Sequence, residues 1–259
     1  MGKETRRAMV TGASEGIGRA FAQRLALDGY RITAVARNEA RLRELVASLP
    51  GEGHEVLGAD LSAAGDVSRV SDLLSVTHHG LLINNAGYGL FGKFPAQPLE
   101  KHLELMRVNM NAVVALAHVF LTRAQPGDAL VNVSSGLAFS PMPASGIYTA
   151  TKAFVTALSE CLWFEQKGRG VYVLGLHPGP TSTEFQRRSG SGHLTPPALL
   201  VQTADAVVGQ GMAALQARKK PTIIAGTWLQ KFITFANRFR SRRAVVNQMG
   251  NMFPDPPAR

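Results

Sequence analysis

Short, nearly continuous apolar runs alternate along the first two-thirds of the chain with longer stretches whose apolar residues recur every three or four positions. The runs at 8–11, 31–36, 55–58, 81–84, 129–134 and 171–177 predict strands. The helical spacings at 17–28, 39–49, 67–76, 99–123 and 149–166 predict helices between them. Apolar strands without polar alternation are buried on both faces, so the pattern predicts a parallel sheet sandwiched by helices. Past Pro178 the pattern loosens. Residues 182–197 are rich in Gly, Ser, Thr and Pro and predict a mobile substrate loop, extending to about 202. A helix at 203–217, a strand at 221–225 and a second helix at 228–248 follow. With no repeat or linker, the expectation is one α/β domain over 1–259. It is a Rossmann-type doubly wound parallel sheet of about seven strands, with a core at 7–225 and a helical tail at 226–259.

Composition narrows the class. The chain has 259 residues and is 45% hydrophobic, enough for one large core. One cysteine, Cys161, excludes an internal disulfide framework and fits a reducing compartment. The N-terminus reads as polar and basic rather than as a signal peptide, and the apolar stretch 113–121 is far short of a membrane span. A cytoplasmic protein is expected, without a metal-ligand cluster. The net charge of +10 is unevenly placed. Between Ala206 and Pro254 there is no Asp or Glu but eight Lys and Arg, which leaves +2 for the rest.

Chemistry enters at the first strand-to-helix junction. Gly12, Ser14, Glu15, Gly16, Ile17 and Gly18 form a Gly-x-x-x-Gly-x-Gly turn. Glycines there let backbone approach a pyrophosphate at a helix N-terminus; the bland reading is a βα turn that binds nothing. The second strand ends on Ala36, Arg37 and Asn38, where an acid would hold a ribose 2′-hydroxyl. Arginine there suits a 2′-phosphate, so NADP(H) is preferred over NAD(H). Glu15 counts against this, and Arg19 could compensate. Asp60, with Leu61 beside it, either accepts from an adenine amino group or caps a turn. Asn84, Asn85, Ala86 and Gly87 end the fourth strand, where they either line a cofactor cleft or support neighbouring loops. Tyr148 and Lys152, four apart on one helix, bring a phenol and an ammonium to one face, and the charge is expected to lower the phenol's pKa. Ser135 lies thirteen residues upstream.

Together these residues, with Asn109 and Pro178-Gly179-Pro180, resemble the short-chain dehydrogenase/reductase family from about residue 7 to 225. The stretch 84–185 looks most like the bacterial DltE-type branch, through Phe91-Gly92-Lys93-Phe94, Thr151-Lys152-Ala153-Phe154 and residues 177–185. The resemblance implies an NADP-linked interconversion of a carbonyl and an alcohol, with Tyr148 as general acid or base. Lys152 would lower the Tyr148 pKa and bind the nicotinamide ribose, and Ser135 would hold the carbonyl oxygen. Asn109 would fix a helix kink and hold water in a proton relay. Pro178-Gly179-Pro180 would shape the cofactor loop, and the Thr181 backbone and Thr183 hydroxyl would bind the nicotinamide carboxamide or the phosphates. It also implies a homodimer or homotetramer through helices 99–123 and 149–166.

Loops at the strand ends carry Leu90, Phe91, Leu137, Phe139, Met142, Phe185 and Leu194. This apolar set points to a hydrophobic ketone or aldehyde unless it only packs the lid. The alternatives are a regulator that binds NADP(H) without turnover, and a membrane-peripheral reductase of lipid-like 3-oxoacyl or steroid-like substrates. In the tail, Trp228, Phe232, Phe235 and Phe239 form one apolar stripe bounded by Lys and Arg. The stripe is expected to pack over the cleft or a partner subunit, with an anionic membrane as the second reading. No base-stacking platform suggests nucleic acid.

Overall fold

The computed structural model describes residues 6–191 and 196–252. Its seven strands are β1 (Arg7–Thr11), β2 (Arg31–Ala36), β3 (Glu55–Gly58), β4 (Leu81–Asn84), β5 (Ala129–Val133), β6 (Tyr172–Pro178) and β7 (Thr222–Ala225). All pair in parallel, in the order β3-β2-β1-β4-β5-β6-β7. The order reverses between β1 and β4, which opens a crevice at their C-terminal ends, the ligand position of doubly wound sheets.

Helices cover both faces, as the unbroken apolar strands require. Ala8, Val10, Ile32, Ala34, Ile83 and Val131 point to one face, where they pack against α1 (Gly16–Leu27), α2 (Glu39–Ser48) and α8 (Ala204–Ala217). Met9, Val35, Leu82 and Leu130 point to the other, against α3 (Ala64–Val76) and α5 (Ala112–Arg123). The remaining helices are α4 (Leu99–Met106), α6 (Gly146–Gln166), α7 (Phe185–Arg188), α9 (Trp228–Ala236) and α10 (Arg242–Met252).

The helix predicted at 99–123 holds with one local change, and two other expectations are corrected. That helix is a continuous rod, but Arg107–Asn111 is a π turn between α4 and α5. By length and composition this rod could cross a membrane. Its apolar residues Ala112, Leu116 and Phe120 are instead spent on the core beside Val70 and Leu74 of α3. The loop at 182–197 contains α7. The tail helix predicted at 228–248 breaks into α9, a 3-10 turn (Asn237–Phe239) and α10. The break has a local cause: the Ser241 Oγ accepts from Ala244 N at 3.2 Å and starts a new helix.

Candidate active site

The glycine turn crosses from β1 to α1 at the crevice. Gly12 and Gly16 have φ of +67° and +54°, the left-handed region that glycine enters without steric cost. A Cβ on Gly12 would stand 2.8 Å from Asn85 Nδ2, and one on Gly18 would run into the Gly12 carbonyl oxygen. Glu15, the residue before α1, makes no side-chain cap, so the first-turn amides of α1 have no such acceptor. Open amides behind a glycine cradle suit a phosphate. A cavity of about 420 Å³ beside the cradle is lined in part by Gly16, Arg19, Ser182 and Thr183. Ser14 is half-buried, and Ile17 packs on the core.

The neighbouring strand ends are stitched to this turn. Thr11 Oγ1 accepts from Asn85 N and Ala86 N, both at 3.0 Å, and donates to Ile83 O at 3.3 Å. Asn85 Nδ2 donates to Thr11 O at 2.9 Å. Asn84 donates to Asn132 Oδ1 at 3.1 Å and Asn132 to Ser159 Oγ at 3.1 Å. Asn84 and Asn85 thus spend their donors on neighbouring protein groups. From the sequence Thr11 is only the first residue of the glycine run, with no role of its own, and Asn132 looks like an ordinary strand residue.

At the end of β2, the Arg37 side chain is exposed and its Nη1 lies 3.9 Å from Asp60 Oδ2. Asp60 Oδ1 accepts from Ser62 N at 2.9 Å and from Ser62 Oγ at 2.8 Å, so this carboxylate caps a turn; Leu61 between them is buried. Asn38 Oδ1 caps α2 by accepting from Arg41 N at 3.1 Å. Glu15 pairs with Arg41 at 2.9 Å and also with Arg188 of α7, which ties the substrate loop to the glycine turn.

Ser135, Tyr148 and Lys152 come together beyond β5. Ser135 Oγ accepts from Leu137 N at 3.2 Å, which leaves its hydrogen free to donate. Tyr148 and Lys152, on the first turns of α6, are both buried. Lys152 Nζ donates to Val133 O at 2.8 Å and lies 5.8 Å from the Tyr148 ring centroid. Burial drives the Lys152 pKa down to about 8. The expected fall in the Tyr148 pKa does not occur. Burial raises it to about 12, against a smaller lowering by a hydrogen bond with the Ser135 side chain. Desolvation of the phenolate outweighs the favourable contacts, so the phenol is protonated at neutral pH.

Asn109 sits in the π turn and is buried. It accepts from Tyr88 N at 3.2 Å and donates to Tyr88 O at 3.0 Å and Thr151 Oγ1 at 3.2 Å. A Cβ on Gly87 would lie 3.0 Å from Asn109 Oδ1 and 3.5 Å from Lys152 Nζ, so the missing side chain keeps open the place where these groups converge. Ala86 beside it is half-buried, packed against the core.

A polar chain behind α6 was missed. Ser134 Oγ donates to Lys152 O at 2.7 Å and meets Thr156 Oγ1 at 2.9 Å, and Thr156 meets His177 Nε2 at 2.9 Å. Burial lowers the His177 pKa to about 4.

With the cradle, the switch-point crevice and the Ser-Tyr-Lys cluster in one place, the family follows. Residues 6–193 match the family described as short chain dehydrogenase. The chain belongs to the short-chain dehydrogenase family. This short-chain dehydrogenase is 32% identical over 180 residues to the 7beta-hydroxysteroid dehydrogenase of Collinsella aerofaciens, covering 68% of each chain. It superposes on a short-chain dehydrogenase from Sphingobium yanoikuyae solved with NADPH, with a TM-score of 0.81, 32% identity and 98% of both chains covered. A bulky-bulky ketone specific alcohol dehydrogenase from Comamonas testosteroni matches with a TM-score of 0.78 and 27% identity, over 99% of this chain and 97% of that one.

The apolar residues expected in the substrate pocket of this short-chain dehydrogenase divide. The Phe185 ring lies 5.5 Å from the Tyr148 ring. Phe139 lies 4.8 Å from the His177 ring. Phe91 and Met142 are buried, while Leu90 and Leu137 are half-buried; Leu194 falls outside the described residues. In the loop after β6, Pro178 ends the strand, Thr181 Oγ1 donates to Gly179 O at 2.8 Å, and Thr183 lies against Gly16. Gln230, which the sequence did not single out, reaches in from α9. A Cβ on Gly179 or Gly226 would overlap its amide, and one on Gly136 would stand 2.9 Å from its Nε2. Its Oε1 is buried without a hydrogen-bond partner.

Proposed function

We propose that the chain is an NADP(H)-dependent reductase that interconverts a hydrophobic ketone and its alcohol. The observation that carries this reading is the buried Ser135–Tyr148–Lys152 cluster opening at Gly87 beside the glycine cradle. The cofactor supplies the hydride when bound. Gly12, Gly16, Gly18 and the first turn of α1 would hold its phosphates, Arg37 its 2′-phosphate, and Thr181 and Thr183 its nicotinamide end. Tyr148, held neutral by burial, donates its proton to the substrate carbonyl oxygen. Ser135 donates a hydrogen bond to the same oxygen as charge develops there. Lys152, protonated below about pH 8, is the cation nearest the phenol and stabilises it as its proton leaves. Asn109 fixes the π turn against Tyr88 and Thr151, which sets the wall that Lys152 faces. The carbonyl carbon gains a hydride and its oxygen gains a proton, so ketone becomes alcohol.

Phe185 against Tyr148 favours an apolar group beside the carbonyl. The relatives named for a hydroxysteroid and for bulky ketones support the same substrate class. A panel of bulky and small ketones assayed with NADPH and with NADH tests the reading. Turnover of bulky ketones with NADPH, abolished in Tyr148→Phe, is expected. NADPH binding without turnover by wild type across the panel would make the chain a nucleotide-binding regulator instead.

A further inference from the structure

The aromatic stripe of α9 and the 3-10 turn after it does not pack over the cleft, one of the two packings, cleft or partner subunit, expected from the sequence. Trp228, Phe232, Phe235 and Phe239 are 78%, 61%, 55% and 79% exposed. The opposite face of α9 is fixed inward by Gln230 and by buried Thr234, whose Oγ1 donates to Gln230 O at 2.9 Å. Asn237 Nδ2 ties the end of the helix to Ser140 Oγ at 3.1 Å. The helix cannot roll its aromatics inward without drawing Gln230 out of its slot. Four exposed aromatics in one row are an unusual surface for water alone.

The charge along this segment, residues 226–252, is of one sign. Lys231, Arg238, Arg240, Arg242 and Arg243 are exposed, and none pairs with a carboxylate among the described residues. Lys231 and Arg240 meet only amide oxygens, of Gln210, Asn237 and Gln248. A second copy docked on this face by a twofold axis would set five cations against five. A nine-residue helix rises only about 14 Å, well short of a bilayer core, so it lies on a surface rather than through one.

We propose that the α9 face, with Trp228, Phe232, Phe235 and Phe239 inserted and the flanking Lys and Arg around them, docks on an anionic phospholipid surface. Aromatic rings seat at the headgroup boundary while the cations meet lipid phosphates. The docking is independent of the reaction proposed above.

Co-sedimentation of the full chain with phosphatidylcholine vesicles, with and without phosphatidylglycerol, tests this. Trp228 emission is followed in parallel, with Trp228→Phe as the spectral control. Binding is expected only with phosphatidylglycerol, with a blue shift of the Trp228 emission, and is lost at high salt. The double variant Phe232→Ser, Phe235→Ser should bind at least roughly tenfold more weakly. A variant with Arg238, Arg240, Arg242 and Arg243 changed to Gln should bind as weakly or more so. Both variants should keep the wild-type ketone turnover in vesicle-free buffer and the wild-type circular dichroism spectrum. Wild type left in the supernatant with anionic vesicles at low salt overturns the proposal. So does equal binding by the Ser variant, which would reduce the effect to diffuse charge. Self-association, or capture by an acidic protein, that the Ser variant abolishes while vesicles stay unbound would reassign the face to a protein partner.

Discussion

Replacing Gly179 with Ala tests how tightly α9 is coupled to the loop after β6, which is proposed to hold the nicotinamide end of the cofactor. Gly179 has no positive φ, so the backbone tolerates alanine, and the nearest obstacle is the Gln230 amide, which the new Cβ would overlap. Overpacking of this kind costs about 1–3 kcal/mol. For a chain of this size that lowers Tm by roughly 2–12 °C. Gln230→Ala removes the obstacle together with a buried Oε1 that has no partner, so its own cost is expected to be small, within about 1 kcal/mol. In the double variant the methyl introduced at position 179 occupies the space the amide leaves. The cycle should therefore show a coupling of about 1–2 kcal/mol, read from thermal or urea unfolding of the four proteins. The KM for NADPH should follow the same pattern, raised in Gly179→Ala and partly restored in the double variant. Equal destabilisation by Gly179→Ala with and without Gln230 would refute the slot.

Thr11→Val keeps shape but strands the amides of Asn85 and Ala86, so a loss of about 1–3 kcal/mol in unfolding free energy is expected by urea titration. Arg37→Ala should raise KM for NADPH by roughly tenfold or more while leaving KM for NADH unchanged, as steady-state assays with both cofactors would show. His177 takes up a proton at about 4 in the folded chain against 6.5 when unfolded, so stability is full above pH 6.5 and falls as pH drops toward 4. The full loss is about 3 kcal/mol, and unfolding of His177→Gln measured at pH 7 and pH 5 should show a flatter dependence. Because burial raises the Tyr148 pKa to about 12, alcohol oxidation in the proposed reaction, which would need the phenolate, should accelerate from neutral to alkaline pH. Ketone reduction should not, and initial rates in both directions across pH decide this.

The sheet could be read from the chain because strands buried on both faces are written as unbroken apolar runs, such as Met9-Val10 and Leu82-Ile83. The glycine turn and the Tyr148–Lys152 spacing were legible because each role needs one residue type at a fixed offset. What stayed hidden depends on neighbours far along the chain. Thr11 looks like any strand threonine until β4 arrives beside it. Gln230 looks like a polar position on an amphipathic helix until three glycines, following β5, β6 and β7, surround it. The Tyr148 shift was misjudged because spacing reports the nearby ammonium and says nothing of burial. Ser241 was a readable helix start that the aromatic periodicity concealed.

Gln230 sits on one side of α9 and Trp228, Phe232 and Phe235 on the other, so α9 separates the loop after β6 from the outside. A bilayer held against the outer rings would lie about one helix diameter, roughly 10 Å, from Gly179. An apolar ketone dissolved in that bilayer would then reach the site without crossing a long stretch of water. The effective substrate concentration at Tyr148 would be set by its solubility in lipid, and no longer by its solubility in the surrounding buffer.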